Sequence, residues 1–217
     1  MRYSKMIKKL VVSTILGLAF SAAAQADAFV FGSSNFNARN VLTIVTDNGT
    51  YALNNLDSGW WNQSMGHDAS NKNYVVGECC GHGNYNDYFT FNLSDVTGNI
   101  RSASLTLYSF QVTTNATFSL MDVSTPISAL TATGTNTAIY TDLMSGVSYG
   151  NRSYSSLDSN TFQTITFNNA GIAALTAVRG GDFAVGGTIA AVPEPETYAM
   201  LLAGLGLMGG LARRRKQ

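Results

Sequence analysis

Short segments in which apolar and polar residues alternate recur along the middle of the chain. Every second side chain of a strand points to the same face, so this alternation predicts strands with one apolar face. Six segments show the pattern: 40–46, 88–93, 102–110, 116–123, 161–167 and 182–185. Turn-forming sequences lie between them, at 47–49, 97–99 and 134–136. Short strands with frequent turns favour two packed antiparallel sheets over a βαβ fold.

One short helix is predicted in the same region. Asn168 or Asn169 can cap the segment 170–178, and the glycines at 180–181 end it. The 166 residues from 27 to 192 suffice for a hydrophobic core without disulfides or metals. The sequence therefore predicts an all-β domain over residues 27–191, an antiparallel β-sandwich with one short helix.

The net charge of zero hides an uneven distribution of charge. Eight of the 13 basic residues lie in two terminal clusters, whereas residues 27–192 hold five basic and eleven acidic residues, a net charge of −6. Charged residues make up only 12% of the chain, about half of the usual share. This composition excludes a nucleic-acid partner held by basic patches and a charge-rich disordered chain.

Residues 1–26 have the three parts of a secretory signal peptide. A basic segment (1–9) precedes an uncharged, mainly apolar run (10–20), and small residues up to Ala26 follow. Eleven helical residues rise only about 16 Å, too short for a hydrocarbon core of about 30 Å. We expect cleavage after Ala26 and export; the alternative is an uncleaved membrane anchor.

Residues 192–217 combine a proline-glutamate motif, an apolar run and a basic tail. The motif is Pro193-Glu194-Pro195, and the uncharged run covers 197–212. The basic tail consists of Arg213, Arg214, Arg215 and Lys216. Sixteen helical residues span about 24 Å, which a thinned bilayer accommodates. We therefore predict a C-terminal transmembrane helix whose basic tail stays in the cytoplasm, and a single-pass inner-membrane precursor with the body on the exported side.

This order of motif, apolar helix and basic tail resembles the PEP-CTERM sorting signal of exported bacterial proteins. The resemblance implies exosortase as a partner, a transient stay in the inner membrane, and Pro193, Glu194 and Pro195 as the recognition element. It further implies a Gram-negative, exopolysaccharide-producing cell and a final place on the cell surface or in the extracellular matrix. An ordinary tail anchor is the alternative, although such an anchor does not need the prolines.

The body also resembles the one found on many PEP-CTERM proteins. The resemblance is carried by the segments 88–108, 142–150 and 168–187, the last of which ends in Gly-Gly-Asp-Phe-Ala-Val-Gly-Gly. It implies a jelly-roll-like sandwich, similar to carbohydrate-binding modules and galactose-binding domains.

Both cysteines and both histidines of the chain lie within sixteen residues, as His67, Cys79, Cys80 and His82. Export favours oxidised cysteines. Three interpretations stay open: an oxidised turn with a Cys79–Cys80 disulfide, an intermolecular disulfide, and a metal site with these four residues as ligands. Adjacent cysteines do not match the usual zinc spacing, and we expect no cofactor.

Sugar binding is the most specific ligand hypothesis that the sequence offers. Trp60 and Trp61 are adjacent in an asparagine-rich segment, with Tyr85 downstream, and aromatic faces stack on sugars. The alternative places a tryptophan in the core.

Catalysis finds little support in the sequence. The chain lacks a Gly-x-Ser-x-Gly elbow, and two histidines leave few ways to build a triad. We therefore expect an exported, non-enzymatic protein of the cell surface or extracellular matrix, with a structural or adhesive role alongside exopolysaccharide in a biofilm. A carbohydrate-binding module is the alternative, and a secreted hydrolase is a third candidate.

Overall fold

A computed structural model of the chain describes residues 29–33, 40–113, 115–191 and Gly204. The body belongs to one compact unit, Asp27–Val192. The expected signal peptide (1–26) and, apart from Gly204, the expected sorting segment (192–217) lie outside the described residues. Within the described part of the chain, no helix has the length and apolar character needed to cross a membrane.

Eight of the twelve described strands form the larger sheet. Seven of them follow the order β10-β9-β12-β6-β5-β1-β8, and β4 also pairs with β6. In chain order these strands are β1 (Phe29–Ser33), β4 (Asp57–Asn62), β5 (Asn73–Glu78), β6 (Asn84–Asn92), β8 (Gln111–Val112), β9 (Ala116–Met121), β10 (Ser148–Tyr154) and β12 (Asp182–Ala191).

The smaller sheet has four strands in the order β11-β7-β2-β3. They are β2 (Val41–Thr46), β3 (Gly49–Asn54), β7 (Ile100–Ser109) and β11 (Thr161–Thr166). Strand pairing is antiparallel in both sheets, as in Leu42 opposite Leu105 and Phe183 opposite Phe91. All six segments predicted from alternation are strands, namely β2, β6, β7, β9, β11 and β12.

The main core lies between the two sheets. Leu42, Leu105 and Ile165 come from the smaller sheet, while Phe91 and Phe118 come from the larger one, and all five are buried in one cluster. In β7 the buried positions alternate with less buried ones, as the sequence pattern predicts. The prediction of an all-β sandwich therefore agrees with the structure.

The expectation of one short helix is corrected, because residues 115–191 contain three α-helices and a 3₁₀ turn. The predicted helix is present as α3 (Asn169–Ala177), and Asn168 accepts a hydrogen bond from the Gly171 N–H at 3.0 Å, as an N-cap does. The two others are α1 (Ile127–Leu130) and α2 (Thr137–Asp142), and the 3₁₀ turn is Ser156–Asp158. Both short helices are too brief to show a helical period in the sequence.

These two helices cover the outer face of the larger sheet. Leu130 of α1 and Ile139 of α2 are buried in one cluster with Trp61 of β4 and Tyr88 of β6. The Trp61 Nε1–H donates a hydrogen bond to the Leu130 carbonyl at 2.9 Å, which ties α1 to the strand. Strand β6 is therefore covered on both faces, and its residues 85–91 are all buried.

Candidate functional site

Trp60 and Trp61 are both buried, with exposed fractions of 9% and 2%. Successive strand residues point to opposite faces, but both faces of β4 are covered. Trp61 packs under α1 and α2, whereas Trp60 packs with Val75, Cys79 and Tyr85. A sugar stacks on an exposed ring face. The expected stacking platform is therefore not formed by Trp60, Trp61 and Tyr85, because these rings fill the interior.

His67 lies among these aromatic rings and is only 3% exposed. Its ring centroid is 5.3 Å from that of Trp61 and 5.5 Å from that of Tyr88. A Cβ on Gly59 would lie 2.9 Å from His67 Cε1 and 2.7 Å from the Tyr88 hydroxyl, so only glycine leaves room for this packing. His67, which lies close to the two cysteines in the sequence, is thus part of the aromatic interior.

Both ring nitrogens of His67 have partners. Nδ1 lies 2.8 Å from the Trp60 carbonyl oxygen, and Nε2 lies 3.2 Å from the Tyr88 hydroxyl. A carbonyl only accepts, so Nδ1 donates; Nε2 of the neutral ring then accepts from Tyr88. Burial lowers the pKa of His67 below its ordinary 6.5, although the Trp60 carbonyl acts in the opposite direction. His67 is therefore a neutral, structurally satisfied histidine.

Cys79 and Cys80 form a disulfide at the hairpin tip, the five-residue loop 79–83 between β5 and β6. Of the three interpretations of the cysteines, the structure therefore contains the oxidised turn. The four expected metal ligands are not gathered: His67 bonds to Trp60 and Tyr88, while His82 is exposed at the hairpin tip. Among the described residues no group of three or more His, Cys, Asp or Glu side chains has metal-site geometry.

A groove of about 640 Å³ lies between α1 and α2, and the sequence did not indicate it. Most of its lining side chains carry hydroxyl, amide or carboxylate groups: Ser124, Thr125, Asn136, Thr137, Thr141, Asp142 and Ser145. The accessible surface of the groove is nonetheless more apolar than polar, since Pro126, Ala129 and Ile139 also line it. The groove lacks an aromatic side chain among its described lining residues.

Asp142 organises one wall of this groove. Its carboxylate accepts hydrogen bonds from the backbone N–H and the hydroxyl of both Ser124 and Thr125, over 2.6–3.0 Å. Burial by itself would raise the pKa of Asp142, but these hydrogen bonds lower it overall. Asp142 is therefore an ionised carboxylate that anchors this wall. The Thr137 and Ser145 hydroxyls also line the groove and make no hydrogen bond within the described part of the chain.

Asp87 is a second feature that the sequence does not reveal. Its side chain is fully buried and lies against the backbone of Gly187. A Cβ added to Gly187 would lie only 2.0 Å from Asp87 Oδ1, so the carboxyl needs a glycine at this position. Neither carboxylate oxygen has a hydrogen-bond partner within the described residues. Burial raises the pKa of Asp87 well above its ordinary 3.8, although the backbone N–H of Asp87 itself acts weakly in the opposite direction. Asp87 is therefore a carboxyl group that solvent does not reach.

Comparison with protein families identifies the carboxyl-terminal segment. The model of the PEP-CTERM protein-sorting motif matches residues 191–216. This is a PEP-CTERM domain-containing protein. The motif indicates an exported protein that exosortase sorts and processes, which agrees with a secreted or cell-surface location. Searches of curated proteins and of solved structures found no match.

The PEP-CTERM match begins where the described body ends. Its first residue, Ala191, is the last residue of β12, and the Pro193-Glu194-Pro195 motif follows after Val192. Strand β12 pairs with both β6 and β9 inside the larger sheet. The sorting motif is therefore joined directly to an interior strand of the sandwich.

Proposed function

We propose that this PEP-CTERM protein is a non-enzymatic structural or adhesive component of the cell surface or extracellular matrix, associated with exopolysaccharide. The observation that carries the proposal is the sorting motif at residues 191–216, which begins at the last residue of β12. A cut within Pro193–Pro195 would remove none of the described core residues. The product of sorting would be the complete sandwich.

Burial of His67 and Asp87 supports a role without catalysis. A general acid or base must reach the proton of a substrate. The His67 nitrogens are engaged with Trp60 and Tyr88, and Asp87 is enclosed between the sheets. Neither group is placed to act on an external substrate.

The charge and chemistry of the surface support association with a hydrated polysaccharide. Residues 27–192 carry a net charge of −6 with only one lysine, Lys72. The outward-facing side of the smaller sheet carries hydroxyls, among them the half-buried Thr106 and the exposed Thr164, which hydrogen-bond to each other at 2.9 Å. Such a surface suits a matrix of sugars and water better than an anionic polymer such as nucleic acid.

The sorting part of the proposal is tested in the native exporting cell. Replacing Pro193, Glu194 and Pro195 by alanine should leave the full-length precursor in the inner membrane, because these residues are the expected recognition element. Glu196→Ala, just outside the motif, is the matched control and should be processed normally. Cell fractionation with immunoblotting measures both, and unchanged release of the triple variant contradicts the proposal.

The matrix part of the proposal has a separate test. The processed protein should co-sediment with exopolysaccharide purified from the same cells, and neutral salt should have little effect because hydroxyl contacts are not screened. An unrelated anionic polysaccharide serves as the control. Absence of the protein from the pellet would leave sorting intact and remove the matrix role.

The alternative function is a carbohydrate-binding module, and the groove between α1 and α2 favours it. Its volume of about 640 Å³ and its hydroxyl-rich lining suit a short glycan. A glycan array of wild type against Thr137→Val and Ser145→Ala tests this function, because both hydroxyls line the groove. Binding that both variants weaken supports the module, and binding that neither changes removes the groove as its site.

The jelly-roll-like connectivity implied by the resemblance stays a prediction.

A further inference from the structure

The two sulfurs of the hairpin tip lie in unlike surroundings. Cys79 is only 2% exposed and packs with Trp60, Val75 and Tyr85. Cys80 is exposed and has a left-handed backbone with φ of 63°. The bond between them therefore joins a buried sulfur to a solvent-facing residue.

Hydrogen bonds hold the hairpin tip independently of the disulfide. The Cys79 N–H donates to the Gly83 carbonyl, and the His82 N–H donates to the Cys79 carbonyl, both at 3.2 Å. The Asn62 side-chain amide donates to the His82 carbonyl at 3.0 Å. None of these three hydrogen bonds involves a sulfur atom, so the hairpin does not depend on the disulfide alone.

We propose that Cys80 is a site of reversible modification by low-molecular-weight thiols. The incoming thiolate sulfur bonds to Cys80 Sγ, and the bond between Cys79 and Cys80 breaks. Cys79 Sγ leaves with the electron pair and takes a proton from water. One disulfide is exchanged for another, so the step needs no oxidant.

The packing of Cys79 sets the direction of this exchange. Attack on a disulfide depends on access to the sulfur that is attacked, and the cluster with Trp60 and Tyr85 shields Cys79. The same packing limits access of the Cys79 sulfur to the mixed disulfide once it has formed. The mixed disulfide therefore forms on Cys80, and the Cys79 thiol reverses it slowly.

Peptide mapping of the wild-type, full-length chain tests the proposal without any substitution. The chain is incubated with reduced glutathione, quenched with acid, alkylated with a maleimide and digested. We expect glutathione on Cys80 and maleimide on Cys79. Glutathione on Cys79, or on neither cysteine under conditions that exchange a small-molecule disulfide, would overturn the proposal.

A matched pair of variants tests the asymmetry itself. Cys79→Ser leaves the exposed thiol, and Cys80→Ser leaves the buried one. Under native conditions the maleimide should label the full-length Cys79→Ser chain at least about tenfold faster than Cys80→Ser, since labelling of a buried thiol requires local opening. Equal rates in the two folded variants would contradict the proposal, and equal rates in urea would show that the native difference comes from burial.

Discussion

His67 and Asp87 are both buried, but their surroundings differ in one respect. His67 meets the outer face of the larger sheet, where the Trp60 carbonyl and the Tyr88 hydroxyl occupy both its nitrogens. Asp87, which precedes Tyr88 in β6, faces the main core with no partner for either oxygen among the described residues. Because successive side chains of a strand alternate, Asp87 and Tyr88 point to opposite faces of the larger sheet. Burial of a polar group costs little free energy only where a facing residue supplies a hydrogen bond.

The two groups give opposite dependences of stability on pH. Burial lowers the pKa of His67, so its contribution is present above pH 6.5 and is lost as the pH falls towards the folded value. Burial raises the pKa of Asp87, so the folded chain holds a proton that the unfolded chain releases above pH 3.8. Stability associated with Asp87 is therefore greatest in acid and falls as the pH rises.

The largest expected effect is on the aromatic packing that surrounds His67. Trp61→Ala removes a buried ring and its hydrogen bond to Leu130, and should lower the free energy of unfolding by about 4 kcal/mol. Urea titration measures the change. Leu157→Ala, at a side chain that is 88% exposed, is the control and should change little. A small loss for Trp61→Ala would mean that α1 and α2 do not depend on this contact.

The next effect concerns the partnered histidine. His67→Ala leaves a cavity and two unpaired groups, and should lower the free energy of unfolding by about 3 kcal/mol at pH 7.5. It should also abolish the loss of stability below pH 6.5, since this loss belongs to the protonation of His67 in the unfolded chain. His82→Ala, at the exposed second histidine, is the control. An unchanged pH profile in His67→Ala would contradict the assignment.

A smaller effect, of opposite sign, is expected at the unpartnered carboxyl. Asp87→Asn keeps the shape of the side chain but cannot ionise, so it should raise the free energy of unfolding at pH 7 by about 1–2 kcal/mol. The gain should vanish near pH 3, where the wild-type group carries its proton in both states. A destabilised variant at pH 7 would show that the Asp87 carboxylate is paired.

The smallest effect is expected at an accessible ion pair. Lys72 Nζ lies 2.8 Å from the Asp57 carboxylate, with side-chain exposures of 37% and 18%. Lys72→Gln should change the free energy of unfolding by under about 1 kcal/mol, and 0.5 M salt should reduce the difference, because solvent screens such pairs. A larger effect that salt does not alter would mean that solvent does not screen the pair of Lys72 and Asp57, as for a buried ion pair.

Alternation in the sequence predicts strands with one covered and one open face most readily, but the match is not complete. Strand β6 was predicted although both its faces are covered, and the edge strand β3 was not predicted although it is half exposed. In β7, Leu105 and Leu107 alternate with less buried neighbours, and the predicted segment is a strand. Strands β4 and β5 were not predicted, since other elements cover both faces and nearly every position is buried. Their sequences therefore lack alternation, as expected for doubly covered strands.

The candidate site was less predictable than the fold. Closeness along the chain suggested that His67, Cys79, Cys80 and His82 act together, but His67 lies in the aromatic interior and His82 lies at the exposed hairpin tip. A carboxylate at position 87 looks the same in sequence whether it is solvated or enclosed. Its burial depends on Gly187, a hundred residues away, and on no local pattern. The sorting motif is the opposite case, because exosortase recognition depends on contiguous residues.

The intact mass of the protein recovered outside the inner membrane of the native cell shows whether exosortase has processed the chain. We expect a chain that begins near Asp27 and ends close to Pro193–Pro195, with the sandwich complete and the segment containing Arg213–Lys216 removed. A recovered protein that still carries Arg213–Lys216 would contradict exosortase processing.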